Sequence, residues 1–180
     1  MVVPRLGNAW TMDINGHALA SGGELERAND AWAARRPVRV MVPDFLLQPD
    51  NELRIRIRAD KGRRAGLAAV WVGPEDDLQA LWQREEWVRV ILPQAVTVLS
   101  LLVAGLCALL WLQQRDPLYA WAALGEAAWG LRLLDTWWEQ TWLDWPVALM
   151  PTLVLFWIWT AALYRMIATL WDDRRPRAIM

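Results

Sequence analysis

The pattern of hydrophobic and polar positions divides this chain of 180 residues into two halves near Trp87. Before Trp87, apolar and polar residues alternate over short stretches, and most of the charged residues are found there. After it, long apolar runs follow, and the first of them is uncharged from Val90 to Gln114. Because a helix rises about 1.5 Å per residue, about twenty apolar residues cross a hydrocarbon layer of about 30 Å. The pattern predicts a β domain attached to a membrane.

Three transmembrane helices are predicted in the second half of the chain. They cover residues 88–113, 118–138 and 146–171. The first and third are uncharged over most of their length, whereas the second contains Glu126, Arg132 and Asp135. The second helix is therefore the weakest of the three by hydropathy.

The first half, residues 1–86, shows the period-two alternation of strands that bury one face. In LRIRIR, residues 53–58, the apolar side chains fall on one face and three arginines on the other. That arginine face is either solvated or a site for an anionic ligand. Asn15 and Gly16 form the commonest tight-turn dipeptide and predict a hairpin in WTMDINGHALA. Further strands are predicted at residues 37–42 and 67–72.

Basic residues in short loops and tails favour the cytoplasmic side of a membrane and so predict the orientation. Arg115 lies in the first loop, and the tail, residues 172–180, contains three arginines. We therefore expect a multi-pass protein of the bacterial inner membrane, with a cytoplasmic tail and the β domain in the periplasm. Met1 to Asn8 lack the pattern of a signal peptide, so either the chain starts upstream or the first helix carries the domain across. We expect an upstream start, because the predicted strands are fewer than a closed sandwich needs.

Fifteen tryptophans are a large excess for a chain of 180 residues. Indole side chains favour the headgroup level of a bilayer, because one end is apolar and the other carries an N–H. The predicted interfacial anchors are Trp87, Trp137, Trp138, Trp142 and Trp145. A tryptophan-rich protein core is the alternative interpretation of the same excess.

Charge and reactive side chains exclude several classes of function. The 19 basic and 20 acidic residues are nearly balanced, so no nucleic-acid partner is expected. The single cysteine, Cys107, excludes an internal disulfide and a site built from cysteines. His17, the single histidine, follows the predicted turn and lacks co-ligands, which favours an exposed turn residue. We therefore expect no catalytic residue, metal site or cofactor.

The order of motifs resembles a known family. The first half resembles the extracytoplasmic β-sandwich of bacterial seven-transmembrane receptors with diverse intracellular signalling modules, and of related sensor histidine kinases, through NGHAL, RRPVRVMVPDFLLQPDNELRIRI and AGLAAVWVGPEDDL. The opening membrane helices of that family are similar to WVRVILPQAV and QQRDPLYAWAALGEAAWGLRLL. The first half is also similar to galactose-binding-like jelly rolls, with PDNEL, residues 49–53, at the place of their Pro-Gly-x-Asn-x-Leu loop.

The resemblance implies a partial jelly-roll-like β-sandwich followed by three transmembrane helices. It also implies the sensory part of a two-component signal-transduction receptor, in which an unknown small-molecule or carbohydrate ligand binds outside and shifts helix packing. Such receptors carry an output module after further helices, whereas this sequence contains no kinase phospho-acceptor or ATP-binding motif. We therefore do not expect this chain by itself to be an enzyme, and a homodimer is a further expectation.

Two other functions remain open. A membrane-anchored carbohydrate-binding or scaffolding protein needs no output module, and the basic tail at residues 172–180 suits it. A transporter or channel subunit is disfavoured, because three predicted helices lack a repeat and a broken midplane helix.

Charged residues within the predicted helices are the candidate functional residues, since each costs a few kcal/mol at the bilayer centre unless it is paired or hydrated. Arg132 and Asp135 are three residues apart and can pair on one face. Glu126 and Arg165 lie about 12 Å and about 9 Å from the cytoplasmic ends of their antiparallel helices, so they can form an interhelical pair. The alternative is that Arg165 extends to the headgroups while Glu126 is protonated or paired elsewhere.

Small residues recur on the second predicted helix at three- and four-residue steps. They are Ala120, Ala123, Ala127 and Gly130. Small side chains allow two helix backbones to approach closely. The stripe predicts tight helix packing within the chain, with dimerisation as the other use.

Overall fold

The computed structural model describes residues 1–27, 36–59, 66–137, 147 and 149–173. Within these ranges five short strands are followed by four α-helices. The chain forms two compact units, one containing Met1–Leu92 and the other containing Pro93–Trp137 together with the last helix. We call them the β unit and the helical unit. The predicted combination of a β region with apolar helices is present, although the small sheets do not amount to a jelly roll.

The strands form two small antiparallel sheets in the β unit. Their bounds are β1 Val2–Val3, β2 Ala9–Ile14, β3 His17–Gly22, β4 Val38–Arg39 and β5 Leu53–Arg58. One sheet pairs β1 with β4, and the other has the order β3-β2-β5. The predicted hairpin and the strand at residues 53–58 are confirmed.

The alternation in β5 sets which face of the three-stranded sheet is buried. Leu53, Ile55 and Ile57 pack against a buried cluster, while Arg54 and Arg56 are exposed on the other face. The buried cluster consists of Val3, Leu6, Trp10, Met12 and Val40. Because the side-chain period of a strand is two, a slip of one residue would move all three apolar side chains of β5 into water.

Asn15 does more than form the turn between β2 and β3. Asn15 and Gly16 both have positive φ, 49° and 81°, as a two-residue hairpin turn requires. The Asn15 side-chain amide donates to the Leu46 carbonyl at 2.8 Å and to Asn51 Oδ1 at 2.9 Å. The Glu52 N–H in turn donates to Asn15 Oδ1 at 2.8 Å. One asparagine therefore attaches the hairpin to the loop that precedes β5.

Two of the predicted strands are shorter than the sequence pattern suggested. Residues 37–42 contribute only the two residues of β4. Residues 67–72 form no strand; they contribute one bridge from Trp71 to Val2, and the Ala68 N–H donates to the Arg5 carbonyl at 3.0 Å. Apolar content alone therefore overestimated strand length, because neither segment finds a long partner in the described part of the chain.

The helices are α1 Glu75–Glu86, α2 Leu92–Gln114, α3 Pro117–Leu133 and α4 Leu149–Asp173. A π-helical turn, Trp87–Ile91, joins α1 to α2, so that Glu75–Gln114 is one helix of 40 residues. The sequence analysis missed α1, which begins inside the expected β domain. Its sequence EDDLQALWQREE carries only a short apolar stripe, Leu78, Leu81 and Trp82, and none of these side chains is fully buried.

Two helices among the described residues are long and apolar enough to cross a membrane. They are Glu75–Gln114 and Leu149–Trp171. The expected second span at residues 118–138 corresponds to α3, which has 17 residues and is followed by a 3-10 turn, Leu134–Thr136. By length and composition, α3 is therefore not a third candidate of the same kind.

The turn between α2 and α3 is fixed by local chemistry. Arg115 has a φ of 59°, and its N–H donates to the Trp111 carbonyl at 2.8 Å, which ends α2. Asp116 caps α3 by accepting a hydrogen bond from the Leu118 N–H at 2.8 Å. Pro117 occupies the first helical position, where its missing N–H costs nothing. The segment QRDP thus specifies a tight helical hairpin.

Small residues carry the packing of the helical unit, only in part at the predicted positions. Gly125, Ala128 and Gly130 are the buried residues of α3, so only Gly130 of the expected stripe is fully buried. A Cβ at Gly125 would lie 3.5 Å from the Ala162 Cβ of α4. A Cβ at Gly130 would lie 2.9 Å from the Leu101 side chain of α2. The predicted close packing is present at Gly130, while Ala120, Ala123 and Ala127 are half-buried, and the contact at Gly125 was not predicted.

Candidate functional site

A groove of about 850 Å³ lies in the β unit and is the candidate functional site. Its size falls within the range of small-ligand pockets. Its lining comes from Met1 and Val2, Ile14, residues 39–44, Leu47, Asn51, Leu53, residues 72–75 and Leu78. The strand ends, the loop anchored by Asn15 and the first turn of α1 therefore meet around one space.

The walls of the groove expose apolar side chains to an unusual degree. Met41, Leu47 and Val72 are 66%, 50% and 71% exposed, although the core of the same unit is close by. Exposed apolar residues that gather around a concavity mark binding surfaces more often than residues scattered singly do. This groove therefore has the composition expected of a binding site.

Arg39 connects the groove to helix α1. Its guanidinium forms an ion pair with Glu75 in the first turn of α1. The same guanidinium lies 5.4 Å from the centre of the Trp82 ring, two helical turns further on. The Arg39 side chain is 29% exposed and that of Glu75 is 52% exposed, so water partly screens the pair. One arginine of β4 thus contacts α1 in its first turn, at Glu75, and again two turns later, at Trp82.

The Met1 amine also lies at this end of the groove, where it donates to the Val40 carbonyl at 2.8 Å. Burial lowers the pKa of the amine below its usual 8.0, and the Arg39 charge lowers the pKa further. Glu75 opposes both effects by favouring the charged amine. Positive charge at this end of the groove is therefore disfavoured unless Glu75 stays close.

The helix that starts at the groove continues into an apolar segment. After Glu86 it passes through the π-helical turn, in which Val90 is buried, and then through the 23 residues of α2. Arg89 Nε donates to Glu85 Oε2 at 2.5 Å across the junction. Single π turns inside α-helices are frequent at functional sites. A contact made at Glu75 is therefore made on the same helix that carries the apolar segment.

The structure places the predicted intramembrane charges against aromatic rings. The Arg165 guanidinium lies 5.9 Å from the Trp121 ring centre, and no ion pair joins Arg165 to Glu126. The Arg132 guanidinium lies 4.9 Å from the Trp129 ring centre and 5.5 Å from that of Phe156.

Arg132 Nε is buried without a hydrogen-bond partner among the described residues. Asp135 lies in the 3-10 turn Leu134–Thr136 that follows α3. The two arginines thus make cation–π contacts with aromatic rings of α3 and α4.

The sequence analysis missed the aromatic contacts between α3 and α4. The ring centres of Trp129 and Trp159 are 4.9 Å apart, and that of Phe156 lies 5.9 Å from Trp159. Of the predicted interfacial anchors, Trp87 and Trp137 are 61% and 43% exposed. Trp138, Trp142 and Trp145 lie outside the described residues. The high tryptophan content thus serves helix packing at Trp129 and Trp159.

Of the other residues considered from the sequence, Arg54 and Arg56 line a second, smaller cavity of about 110 Å³ together with Asp13, Gly16 and Glu52. His17 is exposed at the start of β3, and the described residues contain no group of three or more side chains that could hold a metal ion. Arg54 pairs with Glu52 at 3.0 Å, and Arg56 lies 3.6 Å from Asp13. The arginine face of β5 is therefore largely neutralised by its own carboxylates.

Sequence reasoning missed the groove itself. Residues 37–42 and 67–72 are predicted as strands, and the apolar residues between Pro43 and Gln48 follow no period, so the pattern does not bring these segments together. One feature of the sequence could have indicated the groove. In the run MVPDFLLQP, apolar residues lie between prolines and do not alternate with polar residues as in a half-buried strand.

No family model matches the chain, and no curated protein or solved structure matches it. Function is therefore argued from the geometry of the groove and of the helices.

Proposed function

We propose that this chain is the sensory and membrane-spanning part of a bacterial signal-transduction receptor, of the kind attached to a histidine kinase. A ligand binds in the groove of the β unit outside the cell, and the occupied groove changes the packing of the membrane helices. The chain acts as a receptor and performs no chemistry of its own. An attached kinase module supplies the output, as the resemblance implies.

One observation carries this proposal. The first turn of α1 forms part of the groove wall, and α1 belongs to the same 40-residue helix as the apolar segment of α2. A ligand that contacts Glu75 or Leu78 therefore touches an element that extends into the proposed membrane region. Coupling between two sites needs such an element with different contacts in the free and bound states.

The proposed membrane region comprises α2, α3 and α4, which is one helix more than length and composition alone support. The surfaces of α2 and α4 support the proposal, because their large apolar side chains point outward. Leu102, Leu106, Trp157 and Trp171 are 67%, 58%, 68% and 67% exposed. A lipid environment would solvate these side chains at no cost. The helix α3 packs between such helices through glycine and completes the bundle.

Arg39 is the proposed coupling residue. While its guanidinium pairs with Glu75 and stacks on Trp82, α1 is held against β4. A ligand that alters either contact changes the position of α1, and the ion pair is weak enough to be exchanged. The proposal therefore predicts that loss of this pair alone affects the far part of the helix.

The native Cys107 of α2 offers a test that needs no knowledge of the ligand. We expect Glu75→Gln, in the full chain reconstituted in phosphatidylcholine nanodiscs, to change the rate of Cys107 alkylation by N-ethylmaleimide. The expected change is about two- to fivefold, which an ion pair of half-exposed groups supports. The matched control is Asp76→Asn, a neighbouring exposed carboxylate outside the groove lining. Equal alkylation rates in both variants would contradict the proposed coupling.

A further inference from the structure

The strand β4 leaves one backbone edge open along the groove. The Val40 N–H donates to the Met1 carbonyl at 3.0 Å, and the Met1 amine donates back at 2.8 Å, so Val40 directs its backbone groups toward β1. Antiparallel pairing alternates along a strand, so the backbone groups of Arg39 and Met41 point the opposite way. Val2, which faces Arg39, confirms the alternation because it pairs outward with Trp71.

Arg39 and Met41 therefore present two N–H and two C=O groups that no described residue pairs. Both residues line the groove. Pro37 and Pro43 flank this edge and have no N–H, so the open edge is limited to a few residues. Unpaired strand edges bind extended chains readily, and prolines beside them limit uncontrolled aggregation.

The side walls of the groove match the side chains of such an extended chain. Leu47, Leu53 and Val72 present apolar surface in the lining of the same groove. Alternate side chains of an added strand point to the same face, so every second one would enter the groove. The Asn51 amide, the one uncharged polar side chain among the described residues of this lining, is already bonded to Asn15 and to the Gln48 carbonyl.

Charge favours a basic residue in the bound chain. Arg39 is paired with Glu75, while the carboxylate of Asp44 at the groove rim forms no ion pair with any described residue. Glu75 is thus neutralised by Arg39, whereas Asp44 has no counter-charge among the described residues. An added positive charge near Asp44 complements this rim.

We infer that the groove binds an extended polypeptide segment that pairs with the backbone of Arg39 and Met41 as an added strand. Alternate apolar side chains of the segment enter the groove, and a basic side chain lies near Asp44. The inference rests on the proposed function only in taking the groove as the ligand site. It names the ligand class as peptide, where the resemblance suggested a small molecule or carbohydrate.

The test uses three peptides that differ only in backbone methylation. The parent is fluorescein-labelled Lys-Val-Thr-Val-Thr-Val-amide, and the other two carry N-methyl groups on the valines or on the threonines. Binding to the full chain in phosphatidylcholine nanodiscs is measured by fluorescence anisotropy, with empty nanodiscs as the blank. Only one edge of an added strand faces β4, so one methylated peptide should lose at least about tenfold in affinity and the other little.

Two protein variants locate the binding. Val72→Asp places a charge in the groove wall at a side chain that is 71% exposed, and it should weaken the parent peptide by at least about tenfold. Phe45→Asp makes the same change at a side chain that is 84% exposed and outside the groove lining, and it should leave binding unchanged. Asp44→Asn should weaken binding by about two- to fivefold, with the loss removed at high salt. Circular dichroism confirms that each variant folds.

Equal binding of the two methylated peptides, no saturable binding of the parent, or equal effects of Val72→Asp and Phe45→Asp would overturn the inference. Tighter binding of octylammonium than of the parent, unaffected by the methylation pattern, would assign the groove to a small amphiphile and also overturn it. Peptide binding without any change in Cys107 alkylation would uphold the inference while contradicting the proposed receptor coupling. The two proposals can thus fail separately.

Discussion

The β unit and the helical unit are built on opposite rules. The β unit buries large side chains, with Leu6 and Met12 both at 0% exposure. The helical unit buries small ones: Thr97, Ser100, Ala104, Gly125, Ala128, Gly130 and Ala162. Many of its large apolar side chains are exposed instead, although Trp129 and Trp159 pack between α3 and α4. The hydrophobic effect in water favours the first arrangement. The second arrangement is favourable only where the surroundings are as apolar as leucine.

The largest expected effect removes a large buried side chain from the β unit. We expect Met12→Ala to lower the free energy of unfolding of this unit by about 3 kcal/mol, because it leaves a cavity in the core. Leu106→Ala in α2, at a side chain that is 58% exposed, should change the stability by less than about 0.5 kcal/mol. Hydrogen exchange under increasing urea, on the full chain in nanodiscs, measures both. Similar losses for the two variants would contradict the comparison.

A charged substitution tests the comparison further. An aspartate is tolerated where a side chain is exposed to water, but it is unfavourable where a side chain is exposed to lipid. Leu102 and Met41 are 67% and 66% exposed, so the two sites differ in surroundings rather than in burial. Leu102→Asp should make membrane insertion less favourable by about 3 kcal/mol on insertion scales and so lower the membrane-inserted fraction. Met41→Asp should leave that fraction unchanged. Alkaline extraction of bacterial membranes that contain each variant measures the inserted fraction. An unchanged fraction for Leu102→Asp would mean that this surface of α2 faces water.

Close helix packing gives the next effect. We expect Gly130→Ala to destabilise the helical unit by about 1–2 kcal/mol, because the added methyl would lie 2.9 Å from Leu101 and 3.3 Å from the Thr97 carbonyl. Gly105→Ala is the matched control, since its methyl would meet no atom within 4 Å. Thermal unfolding in detergent, followed by helical circular dichroism, compares them. A lower midpoint for Gly105→Ala than for Gly130→Ala would refute this packing.

The smallest effect concerns the turn between α2 and α3, which uses the capping chemistry of soluble proteins. Asp116→Ala should lower the stability by about 1 kcal/mol, because the Leu118 N–H loses its acceptor. Asp116→Asn keeps an acceptor oxygen and should cost less. The same thermal measurement separates the two, and equal midpoints would show that the cap contributes nothing.

Local rules predicted the elements whose own sequence determines them. β5 followed from the alternation in LRIRIR, the hairpin from Asn15 and Gly16, and α2 from an uncharged run. The helix α1 escaped prediction because its apolar stripe, Leu78, Leu81 and Trp82, is only three residues in an otherwise polar segment. The groove could not be predicted, since the open edge of Arg39 and Met41 depends on which strand β4 pairs with. The cation–π partners of Arg132 and Arg165 likewise depend on how α3 and α4 pack.

The π-helical turn Trp87–Ile91 lies within the 40-residue helix Glu75–Gln114 and affects how the residues after it are rotated about the helix axis. A π turn holds one residue more than an α turn of similar rise, and an α-helix turns by about 100° per residue. If this turn relaxed to α geometry, the face that α2 presents would swing by roughly that angle while the helix lengthened by only about 1.5 Å. A change in this turn would therefore rotate α2 about its own axis more than it would move α2 along that axis. A single residue sets the angle of that rotation.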